Sequence, residues 1–138
     1  MMEAMNLRHL DQRIDVERYE ALALKQSLEH YLYHLAQQSS ARGLSTDEAL
    51  RLKPATRLLT RLGKMFTGTW PRYGMKRCFQ HRPRTWQLEF DELLLLRTLY
   101  LAGELPDEGP GSAQRLALWN LLGKIDQKAQ RLTSYFSL

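Results

Sequence analysis

Residues 7–39 read LRHLDQRIDVERYEALALKQSLEHYLYHLAQQS, with apolar side chains at 7, 10, 14, 21, 24, 28, 31 and 35 and only the Glu17 slot of the series polar. Steps alternating between three and four are the stripe of an amphipathic helix. Gly43 stands just beyond as a stop. A helix of this length with one apolar face needs other helices to cover it, and the rest of the chain offers them.

Ser45 followed by Glu48 has the form of a capping box, so a second helix is expected from Thr46. Pro54 biases Lys53 away from helical geometry, which predicts a kink there or a fresh helix with Pro54 at its first position, ending near Phe66. Gly63, Gly68, Pro71, Gly74 and Pro83 then punctuate an irregular connection over 67–84. Thr85 is the expected N-cap of a third helix, with Glu89, Asp91 and Glu92 in its opening turns, where the helix dipole favours negative charge, and Gly103 at its end. Ser112 caps a fourth helix. There Leu118, Leu122, Ile125, Ala129, Leu132 and Phe136, spaced by fours and threes, form a seam for a neighbour lying nearly antiparallel.

No stretch alternates with period two for long enough to mark a good strand, and no internal repeat is evident. The expected fold class is all-α, a four-helix-type bundle with a long basic irregular connection between helices 2 and 3. The helices fall at about 7–39, 46–66 broken at Pro54, 86–102 and 113–136. At 138 residues the chain is expected to be a single helical domain over 1–138.

The charge is spread unevenly along this frame. The net value of +5 combines 20 Lys and Arg with 15 Asp and Glu. Residues 49–88 hold ten of the cations and no acid, whereas 1–48 and 89–138 are both net acidic. An acid-free run of 40 residues points to a polyanionic partner. Within it Arg57, Arg61 and Lys64 share one face of the second helix, opposite Leu58, Leu59, Leu62, Met65 and Phe66. The connection adds Arg72, Lys76, Arg77, Arg82 and Arg84, interleaved with Trp70, Tyr73, Phe79 and Trp86. Cations that replace condensed counterions, beside aromatic rings that stack on unpaired bases, suit nucleic acid. Competing readings of the same run are a solvated face, core tryptophans, a lipid surface and an acidic protein.

Catalytic constellations are incomplete. A two-metal nuclease needs carboxylates among its phosphate-binding cations, and the basic run has none. Pro106-Asp107 followed by Asp126-Gln127-Lys128 copies a nuclease string that works on adjacent strands, but here it falls on a turn and a helix. Arg77 and His81 miss the spacing used by small helical ribonucleases. His30 and His34, one helical turn apart, have no carboxylate or Cys cluster to complete a metal site. Cys78 sits among Lys76, Arg77 and His81 without a base or oxyanion donors that the sequence can identify. There is no phosphate-cradling glycine loop. The expectation is no enzyme, no cofactor and no metal. With one cysteine, no apolar leader and no run of ~20 apolar residues, a cytoplasmic protein without a membrane span is expected.

Val16-Glu17-Arg18-Tyr19-Glu20, early in the first helix of a small basic four-helix chain, faintly resembles the accessory proteins of diversity-generating retroelements. That likeness implies helical oligomers that bind RNA and a reverse transcriptase. It covers about five residues, and no family is assigned on it. The expected function is a non-enzymatic nucleic-acid-binding accessory protein that contacts mainly the phosphate backbone, with RNA or single-stranded DNA favoured over duplex. Its candidate contacts are Arg57, Arg61, Lys64, Arg72, Lys76, Arg77, Arg82, Arg84, Trp70 and Tyr73. The alternative is a protein–protein assembly module, a homo-oligomer through helices 1 and 4, whose basic segment binds an acidic partner protein.

Overall fold

Gln12-Arg13-Ile14-Asp15-Val16 alternates exposed and buried side chains, with Ile14 and Val16 turned inward. Two β-branched residues at i and i+2 fit a pleated strand better than a helical turn. The computed structural model, which describes residues 12–66 and 84–132, makes this segment strand β1 (Gln12–Val16). It pairs antiparallel with β2 (Arg84–Leu88), Ile14 opposite Trp86 at the centre and Val16 opposite Arg84 at one end. The inward face of this two-stranded sheet is Ile14, Val16, Trp86 and Leu88, all buried.

Among the described residues four helices complete a mostly helical fold: α1 (Arg18–Arg42), α2 (Thr46–Lys64), α3 (Phe90–Ala102) and α4 (Ala113–Gln130). Helix α1 packs on α2 and α4, and α3 packs on the same two. Leu24, Leu28, Leu58, Leu62, Leu93, Leu96, Leu118, Leu122 and Ile125 meet in the shared core. The expected stripe on α1 from Ala21 to Leu35 and the expected seam on α4 from Leu118 to Leu132 are both buried there.

Several boundaries differ from the sequence-based expectation. The first helix, expected from residue 7, starts at Arg18 because the chain before it is extended and paired; residues 1–11 lie outside the described part. Thr85 caps nothing. It lies within β2, and α3 begins five residues later, with Glu89 as its N-cap. Helix α2 runs unbroken through Pro54, which sits far enough in for flanking turns to hold the helix on both sides. The fourth helix ends at Gln130, and Phe136 lies outside the described residues. Gly43 and Gly103 do end α1 and α3, with φ of 78° and 67°, which glycine adopts without a Cβ penalty. Ser45 and Ser112 cap α2 and α4 through hydrogen bonds accepted from the Glu48 and Arg115 amides.

The strands also expose an order that no sequence repeat announced, because among the described elements strand, helix, helix occurs twice. Gln12–Glu20 and Arg84–Glu92 match in kind: two inward apolar residues, a glutamate N-cap (Glu17, Glu89), and a second glutamate three residues on (Glu20, Glu92). Both pairs form reciprocal capping boxes. Both second glutamates are fully buried.

Candidate nucleic-acid interface

A buried carboxylate is costly unless cations and hydrogen-bond donors answer it. Each of the two glutamates is answered from the other half of the chain. Glu20 accepts from Lys124 Nζ at 2.9 Å and from Asn120 Nδ2 at 2.6 Å, both on α4. Glu92 accepts from Arg57 Nε at 2.8 Å and from Arg61, both on α2. The correspondence extends to the backbone. Lys124 also donates to the carbonyl of Asp15 in β1 at 3.1 Å, and Arg61 to the carbonyl of Gln87 in β2. In each case two donors one helical turn apart clamp a strand–helix junction.

Two of the sequence-predicted contacts, Arg57 and Arg61, thus meet carboxylates within the fold. Arg57 reaches Asp91 at 2.6 Å and Glu89 at 3.1 Å as well as Glu92. The Asp91 and Glu92 hydrogen bonds hold its guanidinium well above the usual arginine pKa. Both arginines remain about a third exposed (33% and 30%), so they border the surface while their charge is matched. The Arg61 guanidinium also lies 5.8 Å from the centre of the buried Trp86 ring. That places Trp86 in the core beneath a cation.

Lys64 is exposed in the last turn of α2, and Arg84 opens β2 opposite Val16. Arg72, Lys76, Arg77, Arg82, Trp70 and Tyr73 lie outside the described residues, as do Cys78 and His81. The two anchors of this segment are described, and they lie at one place. Phe66 sits under Arg18, whose guanidinium is 5.4 Å from the ring, and Arg18 follows Val16 by two residues. Val16 is in turn the register partner of Arg84. Residues 66 and 84, the described neighbours of this segment, therefore both lie at the sheet end, where α1 and α3 begin and α2 and α4 finish.

Residues 67–83 carry four cations and no acid, while the described residues carry 15 cations against 13 acids. Pairing removes much of that body's charge, through Arg42 with Glu48, Arg51 with Glu104, Arg97 with Asp126 and Arg115 with Asp107. Asp107 and Asp126, the two acids of the nuclease-like string, are thus engaged by different arginines on different elements. His30 and His34 are both exposed, and no cluster of three or more metal-ligating side chains occurs among the described residues.

At the opposite end a cleft of about 560 Å³ lies between α1, the start of α2 and the α3–α4 turn. Its arginines are spoken for. Arg51 stands beside the Tyr31 hydroxyl and the Glu104 carboxylate, which raise its pKa, and Arg42 pairs with Glu48 at 3.6 Å. That cleft offers balanced charge, not a cationic surface.

Sequence reasoning also passed over a set of cations on α4 and its C-cap. Lys124, Lys128 and Arg131 repeat the 4, 3 spacing of Arg57, Arg61 and Lys64. The signal was legible in the spacing, but three cations in a net-acidic region do not stand out in a windowed charge count.

No family model, curated protein or solved structure matches the chain. Among the described residues, no helix is long and apolar enough to cross a membrane.

Proposed function

We propose that this chain is a non-enzymatic nucleic-acid-binding accessory protein of the cytoplasm, a four-helix-type bundle whose basic segment is joined to it at the sheet end. The observation that carries this reading is the acid-free segment 67–83, rooted at the sheet end of a body that pairs most of its own charges. Arg72, Lys76, Arg77 and Arg82 would contact phosphates, with Lys64 and Arg84 at the segment's two roots and Trp70 and Tyr73 stacking on unpaired bases. Arg57 and Arg61, already engaged with Glu92, serve this reading by fixing α2 to the β2–α3 junction beside the root.

The test is a fluorescence-anisotropy titration at several salt concentrations with single- and double-stranded DNA and RNA. If six phosphates are neutralised, affinity falls on the order of a thousandfold between 50 and 200 mM salt. Binding to none of the four polymers, or binding without salt dependence, removes the reading.

A second reading, an assembly module, has one observation in its favour. Leu101, Leu116 and Trp119, at the α3 end and the start of α4, are 61%, 64% and 48% exposed. The seams of helices 1 and 4 are buried within the chain, so self-association in this reading rests on exposed apolar side chains such as these three. Light scattering that finds a monomer at all concentrations removes it.

A further inference from the structure

We propose that the nucleic-acid surface has a second part, made by Arg13, Lys128 and Arg131, on the side of the sheet opposite the root of the basic segment. This rests on the nucleic-acid reading above and extends it to residues outside the acid-free run. Lys124 shows where α4 finishes, since its amine reaches both Glu20 and the Asp15 carbonyl. Lys128 lies one turn further along the same face of α4, and Arg131 nearly another. Arg13 precedes Asp15 by two residues and shares its outward face of β1. Among the described residues none of these three forms an ion pair, whereas Lys124, one turn earlier, is tied to Glu20.

The repeat of strand, helix, helix explains the placement. Arg61 on α2 and Lys124 on α4 play the same part in the two halves, so the ends of α2 and α4 flank the sheet from opposite sides. One end leads into the basic segment; the other carries Lys128 and Arg131. Between them runs the exposed sheet face of Arg13, Asp15, Thr85 and Gln87. Arg18, in the first turn of α1, adds a cation where the helix dipole disfavours one. Of the possible occupants, a nucleic-acid backbone matches best, because its charge repeats along a line and can follow cations from one flank across the sheet to the other.

The experiment compares the full-length chain with the double variant Lys128→Gln/Arg131→Gln and the control Lys53→Gln, titrating a 20-nucleotide single-stranded RNA at several salt concentrations. Lys53 belongs to the acid-free run and is exposed, but it sits mid-way along α2, in the groove with Leu50, Pro54 and Leu95, about two turns before Arg61 reaches the sheet. The double variant is expected to lose about tenfold or more in affinity at 100 mM salt and to lower the log–log salt slope by about 1.4, two single-strand contacts. Lys53→Gln is expected to match wild type, and all three chains to share one thermal midpoint within about 2 °C. A double variant that binds like wild type, or a control that loses as much, overturns this inference and leaves the nucleic-acid reading standing. Wild-type binding without salt dependence overturns both.

Discussion

Glu92 concentrates the chemistry of its neighbourhood in one side chain. It caps its own helix through the Glu89 amide at 2.9 Å, accepts from Arg57 and Arg61, and has no exposed surface. Removing a buried partner leaves the remaining charges unanswered, so Glu92→Ala should cost about 3 kcal/mol in urea unfolding. Glu89 also pairs with Arg57, at 3.1 Å, but is 53% exposed, and Glu89→Ala should cost under about 1 kcal/mol through that pair. Equal losses would show that burial does not set the strength of this cluster. The same residues explain why the site was only partly legible. The acid-free run ends at residue 88, and the carboxylates that answer Arg57 begin at Glu89. A window along the chain counts Arg57 and Arg61 as unmatched, although each meets an acid 31 to 35 residues away.

Among the elements, capping chemistry was the most readable because it is local. Ser45, Ser112 and Gly103 act within four residues of themselves, and each does what its type and position imply. The sheet was hidden for the opposite reason. Ile14 fits both a helical stripe and a strand, and what selects the strand is a partner 72 residues away, Trp86. The one local hint was Val16, an apolar side chain off the helical stripe. Pro54 shows how tertiary packing overrides a local signal. Its ring removes one helical hydrogen bond, yet Ala55 and Leu58 beside it are buried in the core and hold α2 continuous. Pro54→Ala should therefore raise stability by about 1 kcal/mol by restoring that bond, read as a higher urea midpoint at an unchanged slope. The cap of α2 also predicts a pH effect. The Glu48 carboxylate is held below its ordinary value of 4.5, first by its hydrogen bond to the Ser45 amide. Its contribution is complete above that ordinary value and is lost as pH falls through the lower folded value. Stability measured from pH 6 to pH 3 should fall less steeply for Glu48→Gln than for wild type.

At the scale of the molecule, the helical class and the position of most helices could be read from periodicity alone, since an apolar stripe every three or four residues is a property of each helix by itself. The doubled plan could not, because Gln12–Glu20 and Arg84–Glu92 share roles and few identities. Charge is likewise organised over the whole body. The far end holds pairs such as Arg51 with Glu104 and Arg115 with Asp107, while the sheet end gathers Arg13, Arg18, Lys128, Arg131 and the root of the basic segment. The clamps on Glu20 and Glu92 have a consequence for how the chain folds. Lys124 belongs to the second half and secures the first; Arg61 belongs to the first and secures the second. Neither half carries the cation that answers its own buried glutamate, so each is expected to depend on the other for a stable fold. Unfolding followed by helical circular dichroism and by tryptophan fluorescence should give one coincident transition, and chains cut to 1–66 or to 84–138 should stay unfolded apart. Reciprocity of this kind is expected to make folding all-or-none, with each half acting as the template on which the other becomes stable.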